Sequence, residues 1–129
     1  MPDLAAKKKR PLWYNLNPLK LPVPGLVSIL HRASGALLLL GLVWFLFLLD
    51  MSLASEAGFA RFRGYVGHPL VKVFLLGFLW AYLHHFCAGI RYLFLDIEKG
   101  VSLGAARASS YAVLAVSLTL TALLGMGLW

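Results

Sequence analysis

The segment Tyr82-Leu83-His84-His85-Phe86-Cys87-Ala88-Gly89-Ile90-Arg91 sets two histidines and an arginine inside a stretch otherwise apolar enough to cross a membrane. Ionisable groups are costly in hydrocarbon and rarely sit there without a partner or a task. A neutral imidazole is the commonest protein ligand for metals and a standard axial ligand of haem iron. His84 and His85 project about 100° apart around a helix, so they cannot both face one pocket. Gly89 follows His85 by four residues on the same face and leaves room there for a large flat ring. Ala81 and Tyr82 continue that face one turn earlier, whereas His84 shares a face with Ala88 and Arg91. For either histidine the competing role is an interhelical hydrogen bond. The expected division is one ligand and one packing residue.

A second cluster opens an earlier apolar run. Ser28 and Arg32 are four residues apart, so they share a helix face about 6 Å apart along the axis. His31 lies beside them, and Ser34 and Gly35 follow. Small residues there admit another helix or a flat ligand. The competing reading is that His31 and Arg32 snorkel to the headgroups from a helix end. Consecutive spans run in opposite directions, which brings Ser28, His31, Arg32 and Arg91 toward one membrane face. His85 then lies deeper, about 16 Å along the axis from Asp96. A cationic rim above a buried histidine suits an anionic, planar cofactor such as haem, whose propionates need positive partners. His31 is expected near the entrance of its helix, so a second histidine ligand would come from another chain.

The elements that must hold these residues follow from composition. The chain has 129 residues, of which 60% are hydrophobic, which is not the composition of an ordinary soluble domain. Three apolar runs, 25–49, 69–95 and 108–129, each reach the roughly 20 helical residues needed to cross about 30 Å of hydrocarbon. They lack the alternation of barrel strands, the other structure that satisfies its backbone in lipid. The expected architecture is an all-α membrane protein with three transmembrane helices. Residues 1–24 form a basic N-terminal segment and 25–129 the transmembrane domain. The first loop, 50–68, is expected to hold a short interfacial helix, with Phe59, Phe62 and Tyr65 at helical spacing and His68 solvated before Pro69. In the third run Ser117, Thr121 and Gly125 recur every four residues, as a packing face does. Of Trp44, Trp80 and Trp129, only Trp129 falls clearly at a helix end, where interfacial tryptophans gather.

The net charge is +7, and its placement points to membrane topology rather than nucleic acid. Lys7, Lys8, Lys9, Arg10, Lys20, Arg32, Arg91, Lys99 and Arg107 fall on the side of the N-terminus and second loop, against Arg61, Arg63 and Lys72 opposite. By the positive-inside rule that side is cytoplasmic, with added attraction to anionic lipid. No cleavable signal is expected, because the Lys-Arg run leads into a proline-rich stretch rather than an apolar one. Cys87 is the single cysteine, so no intrachain disulfide or cysteine cluster forms, and it is expected to pack as a small apolar residue. All five acidic residues lie in the tail, loops or helix ends. A proton-coupled transporter would need a carboxylate in mid-span.

Two motifs now stand in order along the chain. Ser28-Ile29-Leu30-His31-Arg32-Ala33-Ser34-Gly35 resembles the SxxHRxSG signature of the cytochrome b subunit of succinate dehydrogenase. His85 through Asp96 resembles that family's HxxxGIRHLxxD signature, with Tyr92 standing where the family's pattern has histidine. Arg10-Pro11 and the stretch toward Pro24 also fit the family's N-terminal pattern. The resemblance implies a membrane anchor of complex II that pairs with a second small anchor in one haem-binding helical bundle. It implies an iron–sulfur subunit and a flavoprotein docked above, with succinate oxidised on the flavoprotein. Haem b would be shared with the partner anchor and ubiquinone would be the substrate reduced. The motif selects His85 as the axial ligand to the haem iron. It implies His31 and Arg32 at the cofactor, and Ser28 and Arg32 at the quinone. It also implies a bacterial inner membrane with a cytoplasmic N-terminus; the mitochondrial inner membrane is the other setting. A haem-free structural anchor and a quinol:fumarate reductase anchor are the alternatives.

Overall fold

The computed structural model describes residues 21–128. Four helices follow in order: α1 (Val23–Ala54), α2 (Glu56–Gly67), α3 (Pro69–Asp96) and α4 (Leu103–Leu128). Among the described residues there is no strand, and α1, α3 and α4 are long and apolar enough to span a membrane. The N-terminal segment with Arg10-Pro11, and Trp129, lie outside the described residues.

Each boundary has a local cause. Pro24 suits the first turn of α1, where its missing N–H is no loss. Ser55 ends α1 and caps α2, its hydroxyl accepting from the Gly58 amide at 3.0 Å. A Cβ on Gly58 would stand 2.6 Å from the Met51 carbonyl, so this corner requires glycine. The short helix expected in the first loop is α2. His68 is exposed, as expected, but it also caps α3: its Nδ1 accepts from the Leu70 amide at 3.3 Å. Pro69 then opens α3.

Two helices are longer than their apolar runs. The 32 residues of α1 reach about 48 Å, well past the hydrocarbon thickness. Asp50 does not stop it because it is exposed, and Ser52 stays in the helix by donating its hydroxyl to the Leu49 carbonyl at 2.7 Å. α4 begins at Leu103 rather than near 108, since Ser102 caps it with Ala105 N to Ser102 Oγ at 3.4 Å.

The bundle is centred on α3, which packs against both α1 and α4. Val27, Ala88 and Val113, one from each span, form its core, and Cys87 packs against it as expected. Small residues line the contacts. Phe78 of α3 lies directly over Gly41 of α1, and a Cβ on Gly125 of α4 would meet Leu76 at 2.6 Å. Ser117 and Gly125 are buried, which bears out the packing face read on α4. Close approach of backbones is how membrane helices gain contact without a hydrophobic drive.

Candidate functional site

His31 sits eight residues into α1, about 12 Å from its start, and His85 eleven residues before the end of α3, about 16 Å. Because α1 and α3 run antiparallel, the two fall at nearly one depth. Their rings stack, with centroids 4.2 Å apart and planes 14° from parallel. His31 is therefore neither confined to the helix entrance nor snorkelling outward, as one sequence reading held. The start of α1 at Val23 and the tight α1–α3 packing carry it inward.

Glycine makes this stack possible. A Cβ on Gly35 would stand 2.9 Å from Cε1 of His85, closer than side chains tolerate. The room expected beside Gly89 is partly taken by His31, whose Nε2 would lie 3.8 Å from a Cβ there. So the nearest flat ring against Gly89 is an imidazole of the same chain.

The contacts of His85 favour one tautomer. Its Nδ1 lies 3.0 Å from the His31 carbonyl oxygen and 3.2 Å from Ser34 Oγ. A carbonyl only accepts, so Nδ1 must carry the hydrogen. Ser34 spends its own hydrogen on the same carbonyl at 2.9 Å, leaving its oxygen to accept from Nδ1. Nε2 of His85 is then the lone-pair nitrogen. A ligating histidine is held in just this way, with the other ring nitrogen donating to a carbonyl or similar acceptor. Ser34 is the residue sequence reasoning missed. Its small size alone gives no sign of this role; its place three residues after His31 in the first motif is the available signal.

His84 is the opposite case. It is fully buried, with the Val27 backbone as the polar group beside its ring, and neither ring nitrogen reaches a close hydrogen bond among the described residues. It tilts against Trp80, whose indole nitrogen is likewise buried without a partner, 5.2 Å between centroids. Trp80 is thus half-buried, with its indole nitrogen turned inward. Ala88 and Arg91 are buried with His84, as their shared face implied.

The cationic rim divides in two. Arg32 is exposed and reaches back to Ser28, its guanidinium donating to the Ser28 hydroxyl and carbonyl at 3.4 Å each. Arg91 does not join it. It turns toward α4, where Nε donates to Ser109 Oγ at 3.0 Å. Six residues separate His85 from Arg91, which is 240° around a helix, so the two cannot share a face. Tyr92 lies between the halves, its ring 5.0 Å from that of His31 and 5.4 Å from the Arg91 guanidinium carbon.

Among the described residues, no three His, Cys, Asp or Glu side chains converge as a bare metal ion would require. A haem iron already has four ring nitrogens and needs only one imidazole from this chain. A single histidine with an oriented lone pair fits haem and does not fit a bare ion.

Residues 6–124 match the family described as the succinate dehydrogenase/fumarate reductase transmembrane subunit. The chain belongs to that family. It is 34% identical over 114 residues to the succinate dehydrogenase cytochrome b556 subunit of Paracoccus denitrificans, covering 88% of each chain. The subunits of the same name from Rickettsia felis and Coxiella burnetii are each 33% identical. The Coxiella match covers 94% of this chain and 98% of that protein. The family's description as a transmembrane subunit fits the three spans. His31, Arg32, Ser34 and Gly35 of the first motif meet His85, Gly89 and Tyr92 of the second across the α1–α3 contact or lie within a turn of it.

Proposed function

We propose that this chain is the membrane-anchor cytochrome b subunit of succinate dehydrogenase, holding haem b together with a second anchor. In this reading it takes no part in succinate chemistry, which belongs to the flavoprotein. Its share is to carry an iron–sulfur subunit and flavoprotein at the cytoplasmic face of a bacterial inner membrane and to help pass their electrons to ubiquinone. The observation that carries the reading is the Nδ1 of His85 pinned between the His31 carbonyl and Ser34, which leaves Nε2 as a ligand.

His85 would hold the haem, together with a residue of the partner anchor. His84 is the weaker candidate, because it is sealed inside this chain where no shared ligand reaches it. The haem supplies a one-electron carrier when bound. His31, half-buried against His85, would shield the ligand from water, with Arg32 available to a propionate.

At the quinone, Ser28 would orient and Arg32 would stabilise charge. A quinone carbonyl oxygen gains electron density on reduction, and a guanidinium in a site of low dielectric favours that form. Arg32 already donates to the Ser28 oxygen, which frees the Ser28 hydrogen to point at a quinone oxygen. Full reduction takes two electrons and two protons. Arginine cannot supply a proton, so any proton from this pair passes through the serine hydroxyl.

The test is a dithionite-reduced spectrum of the purified complex and of two variants. His85→Ala should abolish the b-type absorption and His84→Ala should keep it. Loss with His84→Ala alone would reverse the assignment. A wild-type complex without the absorption would favour a haem-free anchor. Ser28→Ala, in complexes shown to be assembled, should depress succinate–ubiquinone reductase activity while dye reduction at the flavoprotein stays near normal. Unchanged quinone turnover would remove Ser28 from the pocket.

A further inference from the structure

Arg91 has no role in the haem and quinone proposals, yet its burial needs an explanation. It is 7% exposed, in the last turns of a membrane span. Its partners are neutral: Ser109 Oγ, the Ala106 carbonyl at 3.4 Å and the Tyr92 ring. Among the described residues no carboxylate pairs with it, and Asp96 and Glu98 are exposed. A buried cation held only by neutral groups is costly, and such charges are ordinarily met by an opposite one.

Arg91 lines a cleft of about 270 Å³ between the end of α3 and the start of α4. Lys99, Gly100 and Ser109 form its polar side, and Phe94 and Leu95 its apolar wall. The turn after α3 builds this shape. The Lys99 amide reaches back to the Phe94 carbonyl and the Glu98 amide to the Leu95 carbonyl, both at 2.9 Å. Glu98 is left-handed at φ 58, which turns the chain so that Lys99 joins the lining of the cleft. Arg91 thus lies beside an apolar wall about 7 Å inside the end of α3, and Lys99 lines the same cleft from just past that end.

We propose that this α3–α4 cleft binds the phosphate of an anionic phospholipid through Arg91 and Lys99, with acyl chain lying along Phe94. A free phosphate would use the two cations but gain nothing from Phe94 and Leu95. An acidic side chain from an extramembrane subunit would have to reach below the end of α3. Basic clefts between spans at a membrane face are suited to lipid headgroups. The proposal rests on the membrane reading and is independent of the haem and quinone assignments.

The test is a titration of the detergent-purified, delipidated whole complex with dioleoylphosphatidylglycerol, bound lipid being counted by native mass spectrometry. Dioleoylphosphatidylcholine is the control lipid and inorganic phosphate the competitor. Wild type should hold phosphatidylglycerol in preference to phosphatidylcholine. Lys99→Gln, at an exposed position, should weaken that binding about fivefold. Arg91→Gln should weaken it by roughly tenfold or more. If the Arg91 variant fails to assemble, Lys99→Gln decides alone. Equal affinity of wild type and Lys99→Gln for phosphatidylglycerol would overturn the proposal, leaving the cleft to a protein group. Displacement of the lipid by excess inorganic phosphate would also overturn it, in favour of a soluble anion.

Discussion

Ser34 and Gly35 do different work on one imidazole, and substitution separates the two. Ser34→Ala removes one of two acceptors from Nδ1–H of His85 and leaves the His31 carbonyl. A neutral hydrogen bond of this kind contributes about 0.5–1.5 kcal/mol, so the variant should assemble. With His85 holding the haem as proposed, an acceptor on Nδ1–H would raise the basicity of its Nε2 and favour ferric over ferrous iron. Ser34→Ala should therefore raise the haem midpoint potential with little loss of haem, which a redox titration of the b-type band measures. An unchanged potential would mean that Ser34 only fills space. Gly35→Ala acts by volume, because its Cβ would stand 2.9 Å from the ring and His85 must move. That variant should lose haem, read as the ratio of b-type absorption to flavin, while Ser34→Ala keeps it.

The elements were legible to different degrees, for physical reasons. Spans announce themselves by apolar length, and the first-loop helix by the spacing of Phe59, Phe62 and Tyr65. Helix ends were less legible, because caps are single residues. Ser102 starts α4 well before the apolar run, and α1 continues beyond Asp50 where solvent tolerates charge. At the site, Ser28, His31 and Arg32 share a depth because they lie within about one turn of α1, and the antiparallel course of α1 and α3 brings Arg91 toward the same end. The separation of Arg91 from His85 was readable from their six-residue spacing, whereas the stacking of His31 on His85 depends on how α1 and α3 rotate against each other, which spacing does not set. The turn after α3 offers a test at this scale. Its amide pattern needs a left-handed residue, ordinarily glycine, and Glu98 occupies that place at φ 58. An L-residue there costs about 1–2 kcal/mol, partly offset in a glycine variant by greater freedom of the unfolded chain. Glu98→Gly should raise the thermal stability of the complex by up to about 1 kcal/mol, whereas Glu98→Val should lower it. A Glu98→Val complex melting at or above wild type would show that the turn does not demand this conformation.

The whole molecule presents its apolar residues outward. Leu40 and Leu53 are each at least 75% exposed, and Leu39 and Val43 nearly as much. Only lipid or a second anchor can cover such a surface. The isolated chain should accordingly be unstable outside its complex, which orientation in the membrane makes possible. Orientation rests on charge, and the described residues alone hardly decide it. Arg32, Arg91, Lys99 and Arg107 lie toward one end of the bundle, against Arg61, Arg63 and Lys72 at the other. The bias of nine against three comes from Lys7, Lys8, Lys9, Arg10 and Lys20, which lie outside the described residues. Basic residues near the first span weigh heavily in setting topology. We therefore expect the N-terminus and the α3–α4 turn in the cytoplasm, and α2 and the C-terminus across the membrane. A fluorescent reporter fused after Gly100 should be active, and an alkaline phosphatase fused after Gly64 should also be active. The reverse pattern would reject the orientation. Changing Lys7, Lys8, Lys9 and Arg10 to glutamine leaves five basic residues against three. That variant should give measurable activity of phosphatase fused after Gly100, because part of the population inverts. If the quadruple variant keeps a single orientation, the N-terminal charges are not what sets it, and the loops or the partner anchor must be.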